Sequence, residues 1–134
     1  MSDHLGSQMR LLLDTHALIW SLVDRSRLSV RALDAISDET NEVLTSAVAA
    51  YEIEYKRPRD VELRRMAHDL GVVVAAQGFA WLCISWEDAR DAARLPMIHR
   101  DPWDRLLVAQ AGRTGAKLVP RDPFVAAYDV PTLW

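Results

Sequence analysis

Short apolar runs alternate with longer segments of helical periodicity along this chain, and that alternation constrains its fold more than any other feature. "RLLLD" (10–14), "NEVLTS" (41–46), "WLCI" (81–84), "AKLV" (116–119) and "VPTLW" (130–134) read as strands. Between them, "THALIWSLV" (15–23), "VRALDAISD" (30–38), "AVAAYEIEYK" (47–56), "VELRRMAHDL" (61–70) and "WEDARDAARL" (86–95) read as helices. Ser29, Ser46 and Asp60 stand where N-caps belong, and Gly71 and Pro96 mark expected helix ends. "DPWDRLLVAQAGRTG" (101–115) is a further helix with proline at its first position and Gly115 at its end, and "DPFVAAY" (122–128) a short one. Strands alternating with helices predict an α/β fold built on a parallel sheet.

At 134 residues, half of them hydrophobic, the chain supports one core. The expectation is a loose extension over residues 1–9, with Met9 an alternative start, ahead of one domain over 10–134. No stretch is apolar for the ~18 residues of a membrane span, and the N-terminus lacks an apolar signal segment, which points to the cytoplasm. The single cysteine, Cys83, excludes an internal disulfide framework; its apolar surroundings, "FAWLCISW", predict a buried, inert thiol. The net charge of −3 argues against nucleic-acid binding by bulk positive charge. Locally the balance reverses, with Lys56, Arg57, Arg59, Arg64 and Arg65 against Asp60 and Glu62. Such a segment is either a solvated helix face, the favoured alternative on charge alone, or a patch for phosphate or an acidic partner.

The acids fall where a parallel α/β sheet binds ligands, at the carboxyl ends of its strands. Asp14 follows the first strand and Asp122 follows "AKLV", while Asp101 and Asp104 open a helix near the same edge. Val48, Tyr51, Glu52 and Tyr55 share one helix face, so Glu52 interrupts an apolar stripe, whereas Glu54 points away. Asp104 heads the row of Val108 and Ala111. Asp101 and Asp122, each followed by proline, also suit simple N-caps. Capping explains neither Glu52 in mid-helix nor Asp104 in an apolar row, and a carboxylate there is costly unless something compensates it. Converging oxygen ligands suit Mg²⁺ or Mn²⁺, which serve phosphodiester hydrolysis. His16 and His99 lie near acids, but there is no HExxH or paired Cys/His spacing of a zinc site, no phosphate-binding glycine loop and no GxSxG. A phosphotransferase using Asp14 as nucleophile is disfavoured, since Thr15 and His16 follow where a second acid is needed.

With these residues assembled, the chain resembles a PIN-domain ribonuclease toxin of the VapC type. "LLLDTHALIW", "SAVAAYEIEYK", "LPMIHRDPWDRLLVAQA" and "AKLVPRDPFVAAYDVPTLW" carry the resemblance, in order, over about residues 10–134, with 58–80 the weak part. It implies a three-layer PIN-like fold, a central mainly parallel sheet flanked by helices. It also implies an endoribonuclease using Mg²⁺ or Mn²⁺ and leaving a 5′-phosphate, a cognate VapB-like antitoxin, and a homodimer. Asp14, Glu52 and Asp104 match the core acids and Asp122 the more variable fourth. Asp101 is an auxiliary, and Thr15 and Ser46 match supporting polar neighbours. Arg105 and Arg121 flank acids and are expected to pair structurally before they touch RNA. Pro120 departs from the family's usual Thr or Ser. The alternative is a PIN-like protein- or RNA-binding module of weak catalytic power.

Overall fold

Four parallel strands form one sheet in the computed structural model, which describes residues 8–98, 100–121 and 123–134, with Pro123 and Phe124 as backbone only. They are β1 (Arg10–Leu13), β2 (Glu42–Ser46), β3 (Ala80–Leu82) and β4 (Lys117–Val119), in the order β3-β2-β1-β4. Leu12 stands in register with Leu44 on one side and Leu118 on the other. Leu11, Leu12 and Leu13 are all fully buried, because the sheet is covered on both faces. That is why "RLLL" shows no polar alternation.

Seven α-helices lie among the described residues. On one face, α1 (Thr15–Val23), α2 (Val30–Ser37), α4 (Val61–Arg64) and α5 (Leu70–Ala76) pack Leu18, Ile36, Leu63 and Val74 against Leu11, Leu13 and Val43. On the other, α7 (Pro102–Thr114) packs Leu107, Val108 and Ala111 against Leu12, Leu44 and Leu118. α6 (Trp86–Arg94) lies on α7, and α3 (Ala47–Lys56) touches α1 and α7. The three layers expected from the sequence are therefore present. Caps follow the sequence: Ser29 accepts from Ala32 N–H, Ser46 from Val48 N–H and Asp60 from Leu63 N–H. Gly115 closes α7 in the left-handed region at φ 71°.

Four sequence expectations need correction. The helix over 61–70 stops at Arg64, and a new one begins at Leu70 with Gly71 inside it. Asp69 caps this second helix through Val72 N–H, and the break lets Leu63, Met66, Leu70 and Val74 all reach one core. Cys83 is exposed, because β3 is an edge strand that ends at Leu82. "VPTLW" makes a single parallel bridge, Leu118 to Thr132, in place of a strand. Pro131 accepts from Leu118 N–H there but has no N–H to extend a ladder. The helix over 122–128 is a 3₁₀ turn, Pro123–Ala127. None of the helices among the described residues is long and apolar enough to cross a membrane.

Candidate active site

Because every strand runs the same way, the carboxyl ends share one edge. β1 has β2 on one side and β4 on the other, so the winding reverses at β1 and opens a crevice there. Asp14, the residue after β1, sits in it. Its N–H donates to Val119 O at 3.1 Å, tying it to β4. Its Oδ1 accepts from Ala17 N–H at 2.7 Å, which starts α1, and its Oδ2 accepts from Arg121 N–H at 2.7 Å.

Asp14 is buried, and burial pushes its carboxyl up to about 6 from an ordinary 3.8. The two backbone donors pull it down but do not win; the negative charges of Asp104 and Glu52 push it further up. The three acids separated by up to ninety residues of chain thus lie within electrostatic reach of one another.

Glu52 is 8% exposed in the middle of α3. Its Oε1 accepts from the Thr15 hydroxyl at 2.7 Å and its Oε2 from Lys56 Nζ at 2.6 Å. Thr15 follows Asp14 directly, so one turn of chain fixes two acids. The apolar stripe expected around Glu52 is split: Val48 is buried, whereas Tyr51 and Tyr55 stand out in solvent. Glu54 is an exposed acid paired with Arg57, as its angular position predicted. Asp104, half-buried, occupies the first turn of α7, above the buried Val108 and Ala111.

The other candidates have different places. Asp101 caps α7, accepting from Trp103 N–H at 2.9 Å. Ser46 caps α3 and donates to Gln110 Oε1 at 2.6 Å. Arg105 donates to the carbonyls of Ala92, Leu95 and Pro96 at the end of α6, a structural use. Arg121 gives its backbone N–H to Asp14 and keeps its side chain exposed. Asp122 and His99 lie outside the described residues. His16, half-buried, lines a cavity of about 220 Å³ with Thr15, Glu52, Lys56 and Arg121. Burial and then the charge of Arg121 hold its imidazole below the usual range.

The donor set fits a hard divalent cation in kind: oxygen ligands only, and a charge cluster that a cation would relieve. Asp14, Glu52 and Asp104 are the residues that would hold it. Among the described residues, no three acids, histidines or cysteines already stand close enough to enclose an ion. Lys56 meanwhile serves as counter-ion to Glu52.

Two residues of the site escaped the sequence reading. Gln110, fully buried on α7, links Ser46 to the carbonyl of Cys83. Its signal was the one that exposed Glu52, a polar residue in an apolar row. Lys56 belongs by sequence to a basic stretch, and its signal is its place one turn after Glu52.

The sequence matches the PIN domain family over residues 11–130. The chain belongs to this PIN-domain family. No curated protein matches it significantly. Among solved structures it is similar to a chain of VapBC2 from Rickettsia felis bound to a DNA fragment from their promoter. There the TM-score is 0.68 and the identity 13%, over 92% of this chain and 96% of that one. A chain of DNA-bound VapBC from Salmonella typhimurium gives 0.66 and 14%, over 93% and 96%. A chain of FitAcB from Neisseria gonorrhoeae gives 0.60 and 19%, over 91% and 95%. At such identities the likeness is one of fold, and it agrees with the PIN domain assignment.

Proposed function

We propose that this PIN domain is a metal-dependent endoribonuclease, the toxin of a type II toxin–antitoxin pair. The observation that carries the reading is Asp14. It is buried at the sheet's switch point and raised to about 6, with no cationic side chain among the described residues bonded to it and the charges of Asp104 and Glu52 close by. A fold does not normally keep such a cluster unless a cation from outside completes it.

A bound Mg²⁺ or Mn²⁺ would supply the positive charge that polarises a scissile phosphate and eases deprotonation of an attacking water. The chain's own residues prepare the site. Ala17 and Arg121 N–H hold both oxygens of Asp14 in one orientation, and Thr15 does the same for Oε1 of Glu52. Asp104 adds a third carboxylate from the first turn of α7. Asp122 is proposed as a fourth ligand and Asp101 as an auxiliary. The exposed Arg121 side chain lines the neighbouring cavity, where it can meet substrate phosphate.

The partners proposed are an RNA substrate, a VapB-like antitoxin that occludes the site, and a second copy of the chain, all in the cytoplasm. The decisive experiment compares wild type with Asp14→Asn and Asp104→Asn on structured RNAs with Mg²⁺ or Mn²⁺. Cleavage by wild type alone is expected; cleavage at wild-type rate by both variants would exclude the assignment. Co-expression with the neighbouring reading frame is expected to rescue growth that the chain alone slows.

The salt bridge from Lys56 to Glu52 favours a second reading, a binding module of weak catalytic power, since it occupies a carboxylate oxygen that a metal would use. That reading predicts RNA or partner binding without metal-dependent turnover.

A further inference from the structure

Beside the acids runs a row of aromatic rings that the catalytic assignment does not use. Tyr51 and Tyr55, one turn apart on α3, are 55% and 58% exposed and stack nearly parallel, with centroids 6.0 Å apart. Trp103, from the first turn of α7, continues the row from Tyr51 at 5.1 Å. Arg59 extends it at the far end, its guanidinium 5.5 Å from the Tyr55 ring centre. Tyr51 directly precedes Glu52 and Trp103 directly precedes Asp104, so the row passes one residue from two of the acids and runs along α3 toward Arg59.

Exposed rings are costly in water; Tyr51 and Tyr55 stand more than half exposed, while Trp103 is half-buried against the core and anchors the row. The row is one ring wide, three rings long, and ends in a cation. Among the described residues Arg59 has no acidic partner, nor do Arg64 and Arg65, which follow in the chain. This local positive charge contrasts with the net −3 of the chain and suits a phosphate backbone. Aromatic faces in line with arginine are how proteins hold single-stranded nucleic acid without reading its sequence, because every base has a face to stack.

We infer that the Trp103–Tyr51–Tyr55–Arg59 row is a stacking platform for the unpaired bases of single-stranded RNA, delivering the strand to the acids. The inference rests on the ribonuclease reading and names how its substrate is held. It assigns a job to the basic stretch after Lys56 and to the two tyrosines that the core rejected.

The test measures binding and cleavage separately. In EDTA, the purified chain is titrated into a fluorescein-labelled single-stranded oligoribonucleotide and into an abasic strand of the same length. Tyr51→Ala and Tyr55→Ala are each expected to weaken binding of the base-containing strand about tenfold. Tyr51→Phe and Tyr55→Phe should retain it, and all variants should bind the abasic strand alike. With Mg²⁺ or Mn²⁺, the loss in Tyr55→Ala should appear in KM and leave kcat unchanged. Alanine variants that bind RNA like wild type overturn the platform, and so does an equal loss on the abasic strand. If they keep RNA affinity but lose self-association or antitoxin binding in sedimentation, the row is a protein contact and the inference is also overturned. Should it fall while wild type, and not Asp14→Asn, still cleaves RNA with metal, the ribonuclease reading stands without it. A wild type that neither binds nor cleaves RNA defeats both.

Discussion

Among the described residues two aspartates are buried, and both stand at helix starts, yet their surroundings are opposite. Asp88 opens α6 in a reciprocal capping box with Ser85, and Arg113 grips its carboxylate through two nitrogens, at 2.5 and 3.0 Å. Burial pushes that carboxyl up, but the hydrogen bonds from Arg113 and Ser85 outweigh it and hold the group below its usual range. Asp14 opens α1 and receives two backbone N–H groups but, among the described residues, no guanidinium, and the charges acting on it include two more acids. Burial wins there. Asp88 is a charge the protein has neutralised for itself, at a helix contact. Asp14 is a charge left in deficit, at the crevice where this fold binds ligands. The difference separates an acid whose charge the protein balances itself from one whose charge, in the proposed reading, a metal cation would balance.

The largest expected effect is on turnover. Asp14→Asn should lower RNA cleavage by on the order of 10²–10³-fold, as removal of one preorganised charge does elsewhere. Asp88→Ala should leave kcat per folded molecule unchanged. Equal losses in the two would erase the distinction.

The next effect is on pH dependence. Asp14 titrates near 3.8 in the unfolded chain and about 6 in the folded one. Between those values the folded state keeps a proton that the unfolded state has lost. Stability should therefore fall as pH rises through this window, by up to ~3 kcal/mol, and stay low above it. Asp14→Asn should abolish that slope. It should melt above wild type at pH 7.5 and below it at pH 4, where only its lost bond from Arg121 N–H counts. Divalent cation should raise the melting temperature of wild type at pH 7.5 and leave the variant unmoved.

Asp88→Ala should cost ~2 kcal/mol in urea unfolding, since it removes a cap and both bonds from Arg113, whose own side chain is partly solvated. The smallest effect is expected at Pro120. Arg121 still gives its N–H to Asp14 beside that proline, so Pro120→Thr should change cleavage by no more than ~twofold while lowering stability by ~0.5–1 kcal/mol.

Glu52 and Asp104 were legible because each breaks a periodic apolar row, a local pattern that needs no coordinates. Asp14 was legible from its place between a strand and a helix. Thr15 was a neighbour in sequence, but its bond to Glu52 spans thirty-seven positions and needed the packing of α1 on α3. The arginines were less legible. Arg105 and Arg113 sit eight residues apart on one helix, and nothing in the sequence says that the first would reach carbonyls of α6 and the second Asp88. The break between α4 and α5 was hidden because "VELRRMAHDL" satisfies helical periodicity up to Gly71. Only the demand that Leu63 and Val74 enter the same core bends the chain at residues 65–69.

The sequence by itself determined the kind of fold, its alternating elements, most helix caps and which acids are out of place, because these depend on contacts within a few residues. Only the tertiary structure decided which tyrosines face solvent, that Cys83 sits past an edge strand, and that Asp88 meets a guanidinium while Asp14 meets backbone N–H groups. Those outcomes depend on which distant side chains arrive at the same point, and a buried charge takes its character from its partners.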